Sequence, residues 1–146
     1  MFRYLIKLAG AGLLVIAAAA ASAQSNIYYA AHHDYQVVTV ADGLLQPWSM
    51  AWLPGGDMLV TEKPGRLRII RDGRLLPEAV PGVPEVFYTG QGGLFEVLPH
   101  PNFSDNRWVY LSYAKEEGET SVTAVVRGRF ENDQLTIFET SSDYRS

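Results

Sequence analysis

No cysteine occurs in the 146 residues, which excludes a disulfide framework, a thiolate metal site, a thiol nucleophile and a lipid-modified cysteine anchor. Basic residues are scarce as well. Twelve Lys and Arg stand scattered against 16 Asp and Glu for a formal charge of −4, so the chain has no electrostatic footprint for nucleic acid or an anionic membrane surface. After residue 36 no apolar pattern of helical period reaches ordinary helix length. What is present is 47% hydrophobic and 12% aromatic, with 13 Gly and 8 Pro, the composition of a globular domain rich in turns.

The one long apolar run lies at the N-terminus. Arg3 and Lys7 precede or open it, Leu8 to Ala20 is apolar, and Ala21-Ser22-Ala23 ends it in small residues. This is the pattern of a secretory signal peptide cleaved after Ala23. The run sits at the short edge of what spans a bilayer, so no stable membrane insertion is expected after cleavage. Losing the two cations takes the formal charge from −4 to −6 in the exported form. A periplasmic or secreted protein is expected, with residues 24–36 a flexible leader and 37–146 the folded domain.

From Val37 the sequence breaks into short strand patterns separated by turn signals. Val37 to Val40 runs into Asp42-Gly43, Ser49 to Leu53 into Pro54-Gly55-Gly56, Met58 to Glu62 into Pro64-Gly65, and Arg66 to Arg71 into Asp72-Gly73. Leu67 and Ile69 alternate with Arg66 and Arg68, the period of a strand with one buried face. Asp72-Gly73 predicts a tight hairpin, because both residues tolerate positive φ. The second half follows the same plan: Gly93 to Leu98, Trp108 to Tyr113, Ser121 to Phe130, then an Asn132-Asp133 turn into Gln134 to Thr140. Leu53-Pro54 and Leu98-Pro99 stand 45 residues apart, a period that suits propeller blades of about four strands. Two such units cannot close a ring. The expected fold is all-β, the first blades of a larger β-propeller that is incomplete in this chain.

Four features could carry chemistry. In Gly90-Gln91-Gly92-Gly93 the glycines let backbone approach a ligand, and the Gln91 amide can both donate and accept hydrogen bonds; the plain alternative is a flexible loop between blades. Trp48 and Trp52 share a strand face, where packing between blades is favoured over a sugar platform. Glu62 and Glu96 could act as acid and base, yet nothing in the sequence brings them together, and solvated or turn-capping roles are the simpler reading. His32-His33 lies in the leader and His100 between two prolines in a turn, so structural or exposed roles are expected for all three. No nucleophile–base pair, phosphate loop or metal-ligand spacing is found.

Pro47 to Leu67 (Pro-Trp-Ser-Met-Ala-Trp-Leu-Pro-Gly-Gly-Asp-Met-Leu-Val-Thr-Glu-Lys-Pro-Gly-Arg-Leu), Gly90-Gln91-Gly92-Gly93-Leu94, His100-Pro101-Asn102-Phe103 and Val109-Tyr110-Leu111-Ser112-Tyr113, in this order, closely resemble the start of the soluble PQQ-dependent aldose sugar dehydrogenases, the glucose/sorbosone dehydrogenase family. The resemblance runs from Val37 to about Thr140. It implies a six-bladed β-propeller that binds pyrroloquinoline quinone and calcium and oxidises the anomeric hydroxyl of aldoses to lactones, with a histidine as general base and an external electron acceptor. Carried across residue by residue, it places only Gln91 at the substrate and cofactor cavity. The family's catalytic histidine motif does not precede Ser146, so no catalytic residue is expected here, and the calcium and quinone ligands are expected further on. On this reading the chain is a truncated dehydrogenase, inactive alone. The alternative is a non-catalytic exported propeller module that binds a glycan or a protein partner.

Overall fold

The computed structural model describes residues 27–141. The signal peptide expected at 1–23 lies outside the described residues. The chain divides into two units, Met1–Val38 and Thr39–Ser146. In the first, β1 (Ile27–Tyr28) pairs antiparallel with β2 (Tyr35–Gln36), and the rings of Tyr28 and Tyr35 stack at 5.2 Å. This small ribbon falls in the stretch read as leader.

The second unit carries two four-stranded antiparallel sheets. The first contains β3 (Pro47–Trp52), β4 (Met58–Glu62), β5 (Arg66–Arg71) and β6 (Arg74–Leu75) in sequential order. The second contains β7 (Leu94–Pro99), β8 (Trp108–Glu117), β9 (Thr120–Glu131) and β10 (Gln134–Ser141), again sequential. Between β7 and β8 sits a single helical turn, α1 (Phe103–Asn106), closed by Arg107 in the left-handed region at φ 59°. The hairpin expected at Asp72-Gly73 forms with both residues at positive φ, 52° and 71°. Residues 37–40, expected as a strand, are not one. Among the described residues no strand pairs them, and just beyond them Ala41 and Leu44 pack on Met58, Val60 and Ile70.

β8 shows why the sequence folds as sheet. Val109, Leu111 and Tyr113 point inward and are buried, while Trp108, Tyr110 and Ser112 alternate with them and are half-buried. The same alternation in β9 buries Ala124, Val126 and Phe130. These residues join Leu59, Leu67, Ile69, Leu94 and Val97 in one core spanning the facing sides of the two sheets. Removing each such Val, Leu, Ile or Phe side chain from water stabilises the fold by roughly 1.5–3 kcal/mol.

Three sequence expectations are corrected here. β5 is buried on both faces: Leu67 and Ile69 face the second sheet, while Arg68 lies on the other side at 7% exposure. The Leu53 and Leu98 pair that suggested the repeat occupies opposite environments, 8% and 58% exposed: Leu53 follows the end of β3 and joins the core, whereas Leu98 lies within β7 on the face opposite the buried Val97. The four-strand plan does recur, but that pair is not equivalent within it. Trp48 and Trp52 are not core residues either, at 52% and 63% exposure, although Trp48 makes a tilted contact with Phe95 of the second sheet at 5.9 Å.

Candidate functional site

The starts of β3 and β7 and the end of β4 lie together, and the segment 86–93 passes over them. Its glycines are required by close approach. A Cβ on Gly93, at φ 150°, would lie 2.3 Å from the Lys63 carbonyl oxygen, and one on Gly92 would lie 2.4 Å from that of Phe87. Gly90 adopts φ 52°, which glycine reaches without strain. The loop is tied down at several points: Gly92 N–H donates to Thr89 O (2.7 Å), Leu94 N–H to Lys63 O (2.9 Å), and Ala114 N–H to Gly93 O (2.8 Å). The Lys63 ammonium donates to Gly90 O at 2.7 Å. Gln91 sits at the exposed tip, and no hydrogen bond among the described residues engages its side chain. It is a free amide on a fixed loop, able to donate and accept.

Two neighbours extend this polar surface. Gln46, in the left-handed region at φ 48°, accepts the Lys63 N–H on its carbonyl (3.0 Å), and its side-chain oxygen accepts the Tyr88 hydroxyl (2.9 Å). A non-glycine residue held at positive φ persists where its surroundings over-determine it, and such positions gather at functional sites. Lys63, Gln46 and Tyr88 were not singled out from the sequence. Lys63 stood next to Pro64-Gly65 and read as part of a turn; its contacts are all long-range.

Glu62 is not solvated, as the sequence suggested, but completely buried. It pairs with Arg66 directly across the β4–β5 ladder (2.6 Å), lies 3.4 Å from Arg68, and accepts the Leu45 N–H at 2.5 Å. Burial by itself would raise its pKa. The Leu45 N–H, the Arg66 hydrogen bond and the charges of Arg66 and Arg68 outweigh that and hold the carboxyl below its ordinary range. Every oxygen of Glu62 is therefore committed to structure. Glu96 is exposed and takes its bond from Ser49 Oγ (3.1 Å), so the two carboxylates have separate partners and form no acid–base pair. His100 lies in the β7–β8 connection, where Nδ1 accepts the Asn102 N–H (3.0 Å) and meets the Asn106 amide at 2.9 Å. It organises that turn, and His32 and His33 are exposed in the other unit.

The family model for glucose/sorbosone dehydrogenases matches residues 44–145. The chain belongs to the glucose/sorbosone dehydrogenase family. Its two sheets are β-propeller blades. A solved glucose dehydrogenase aligns with a TM-score of 0.66 at 46% identity over 70% of this chain and 31% of its own. The aldose sugar dehydrogenase YliI of Escherichia coli (strain K12) is 37% identical over 121 residues, covering 80% of this chain and 32% of its own. The PQQ-bound aldose sugar dehydrogenase of Streptomyces coelicolor aligns with a TM-score of 0.55 at 29% identity, covering 82% of this chain and 34% of that one. The chain thus spans about a third of the length of these relatives.

Within this dehydrogenase-family chain, the described residues contain no group of three or more His, Asp or Glu side chains that could hold a metal ion. For a quinone they offer only hydrogen-bonding groups around Gln91, without a set of cations converging on an anionic ligand. The Gln91 amide has both donor and acceptor character and can meet either kind of polar group on a ligand. No helix among the described residues is long and apolar enough to cross a membrane.

Proposed function

We propose that the protein carrying this chain is an exported sugar dehydrogenase that oxidises the anomeric hydroxyl of aldoses to lactones, and that Gln91 binds and orients the sugar. Pyrroloquinoline quinone, when bound, supplies the two-electron acceptor that takes the hydride leaving the anomeric carbon, and an external acceptor reoxidises it. The role of this chain's residues is positional. The Gln91 amide donates to one sugar oxygen and accepts from a hydroxyl, which limits rotation of the ring above the blade ends and raises the share of bound molecules in reactive orientation. The proton of the anomeric hydroxyl requires a general base. Neither Glu62, with its oxygens engaged by Arg66, Arg68 and Leu45, nor His100, held in its turn, is free to act as that base. The base is a group other than these two.

One observation carries this reading: a match to the dehydrogenase family across residues 44–145, with its Gly-Gln-Gly-Gly loop presenting an uncommitted amide. The intact protein, supplied with quinone and calcium, is expected to reduce a redox dye when given an aldose. Gln91→Ala is expected to raise KM about tenfold, the loss of one or two polar contacts to substrate, with stability changed by less than about 0.5 kcal/mol. No dye reduction with any aldose would favour the non-catalytic glycan- or protein-binding module.

A further inference from the structure

We propose that Lys63 is a positioning residue that sets the Gln91 loop for substrate, an inference that rests on the reading of Gln91 as the sugar ligand. Three contacts run through this one residue. Its N–H donates to Gln46 O (3.0 Å), its carbonyl accepts Leu94 N–H (2.9 Å), and its ammonium donates to Gly90 O (2.7 Å). The first two belong to the backbone and survive any substitution. The third depends on the side chain and reaches the residue immediately before Gln91.

That third contact matters because of what surrounds it. Gly90, Gly92 and Gly93 give the loop little conformational preference of its own, so ordering its tip is entropically unfavourable and needs an external tether. Lys63 supplies a charge-assisted bond from the neighbouring blade, stronger than a neutral one. The ammonium is itself held in place: it lies 5.7 Å from the Trp48 ring, and the side chain is half-buried. The adjacent Glu62 carboxylate does not draw it away, since Arg66 and Arg68 already occupy that group. The exposed Trp48, which is poorly explained as core, gains a role here by steadying the lysine that steadies the loop.

The test compares Lys63→Met, Lys63→Arg and Gln91→Ala in the intact protein. Lys63→Met keeps the apolar stem and every backbone bond. It is expected to raise KM for the aldose about tenfold while kcat changes less than about twofold, and to speed amide exchange in residues 90–93 about tenfold relative to β4 and β8. Lys63→Arg, which retains the cation and the donors, is expected to restore both. Unchanged KM and loop exchange in Lys63→Met would overturn the proposal. So would a fall in kcat with KM unmoved, or a Lys63→Arg variant as impaired as Lys63→Met. A rise in KM for Gln91→Ala without one for Lys63→Met overturns this inference alone, whereas unchanged KM in Gln91→Ala overturns the reading of Gln91 on which it rests. If no aldose is turned over, the exchange measurement still decides whether Lys63 fixes the loop; if Lys63→Met does not fold, Lys63→Gln carries the same comparison.

Discussion

The two ends of the blade pair are anchored by different means. At one end Arg71 reaches both turns, bonding Asp57 in the β3–β4 turn (Nη2 to Oδ2, 2.7 Å) and Asp133 in the β9–β10 turn (Nη2 to Oδ1, 2.8 Å). These charges are spent on one another, and the two carboxylates raise the Arg71 pKa further above its already high ordinary value. At the other end the blades meet through neutral groups at main-chain acceptors: Lys63 O accepts Leu94 N–H, and the Thr61 hydroxyl donates to Phe95 O at 2.6 Å. There Gln91 is left with an unused amide. Polar groups that satisfy each other hold a scaffold together, whereas an unsatisfied one on a fixed backbone can meet a ligand.

The sharpest break in this comparison comes from beneath the Gln91 end. Glu62→Leu leaves the buried Arg68 guanidinium without its carboxylate, and a loss of about 3 kcal/mol in denaturant unfolding is expected. The same group sets an acid limb. Its folded pKa is depressed, so its contribution is present above the unfolded carboxylate value of about 4.3 and is lost as pH falls through the folded value below that. Glu62→Gln should therefore flatten the stability profile in this acid window, and a profile identical in shape to the parent would contradict the assignment.

A smaller effect tests whether the loop is fixed by close approach. Gly93→Ala places a Cβ against the Lys63 carbonyl at a φ that side chains rarely adopt, and about 2 kcal/mol of destabilisation is expected together with a raised KM for the aldose. Retained stability and KM would mean that the Lys63–Gly93 approach is looser than described. The smallest effect belongs to the opposite end. Arg71 is 40% exposed, so solvent and salt screen its pairs. Arg71→Gln should lower the unfolding midpoint less than either variant above, with the difference shrinking in high salt and KM unchanged. A change in KM would couple the two ends and erase the distinction between them.

Much of the strand plan is legible in the residues. The Asp72-Gly73 turn, the alternation of Val109, Leu111 and Tyr113, and the division into two four-stranded units all follow from local patterns that the structure keeps. The family motif singled out Gln91 in the same way, as a glycine-rich signature readable without coordinates. The polar setting of that loop was harder to see. Lys63 looked like a turn residue, Gln46 carried no signal, and Glu62 passed for a surface acid, because each is defined by partners distant in sequence. Tyr88 and Gln46 are 42 positions apart, and Ser49 and Glu96 47.

The sequence by itself determined where most strands and turns of the two blades fall and to which family the chain belongs, since side-chain alternation, positive-φ turn residues and ordered motifs act over a few residues. Only the tertiary structure decided that Glu62 and Arg68 are buried, that Trp48, Trp52 and Leu98 are exposed, and that Lys63 joins one blade to the loop of the next. Burial and partnership depend on which strand faces another and in what register. A shift of one residue reverses a strand's faces, so these outcomes are fixed by packing between blades and not by the local pattern within one.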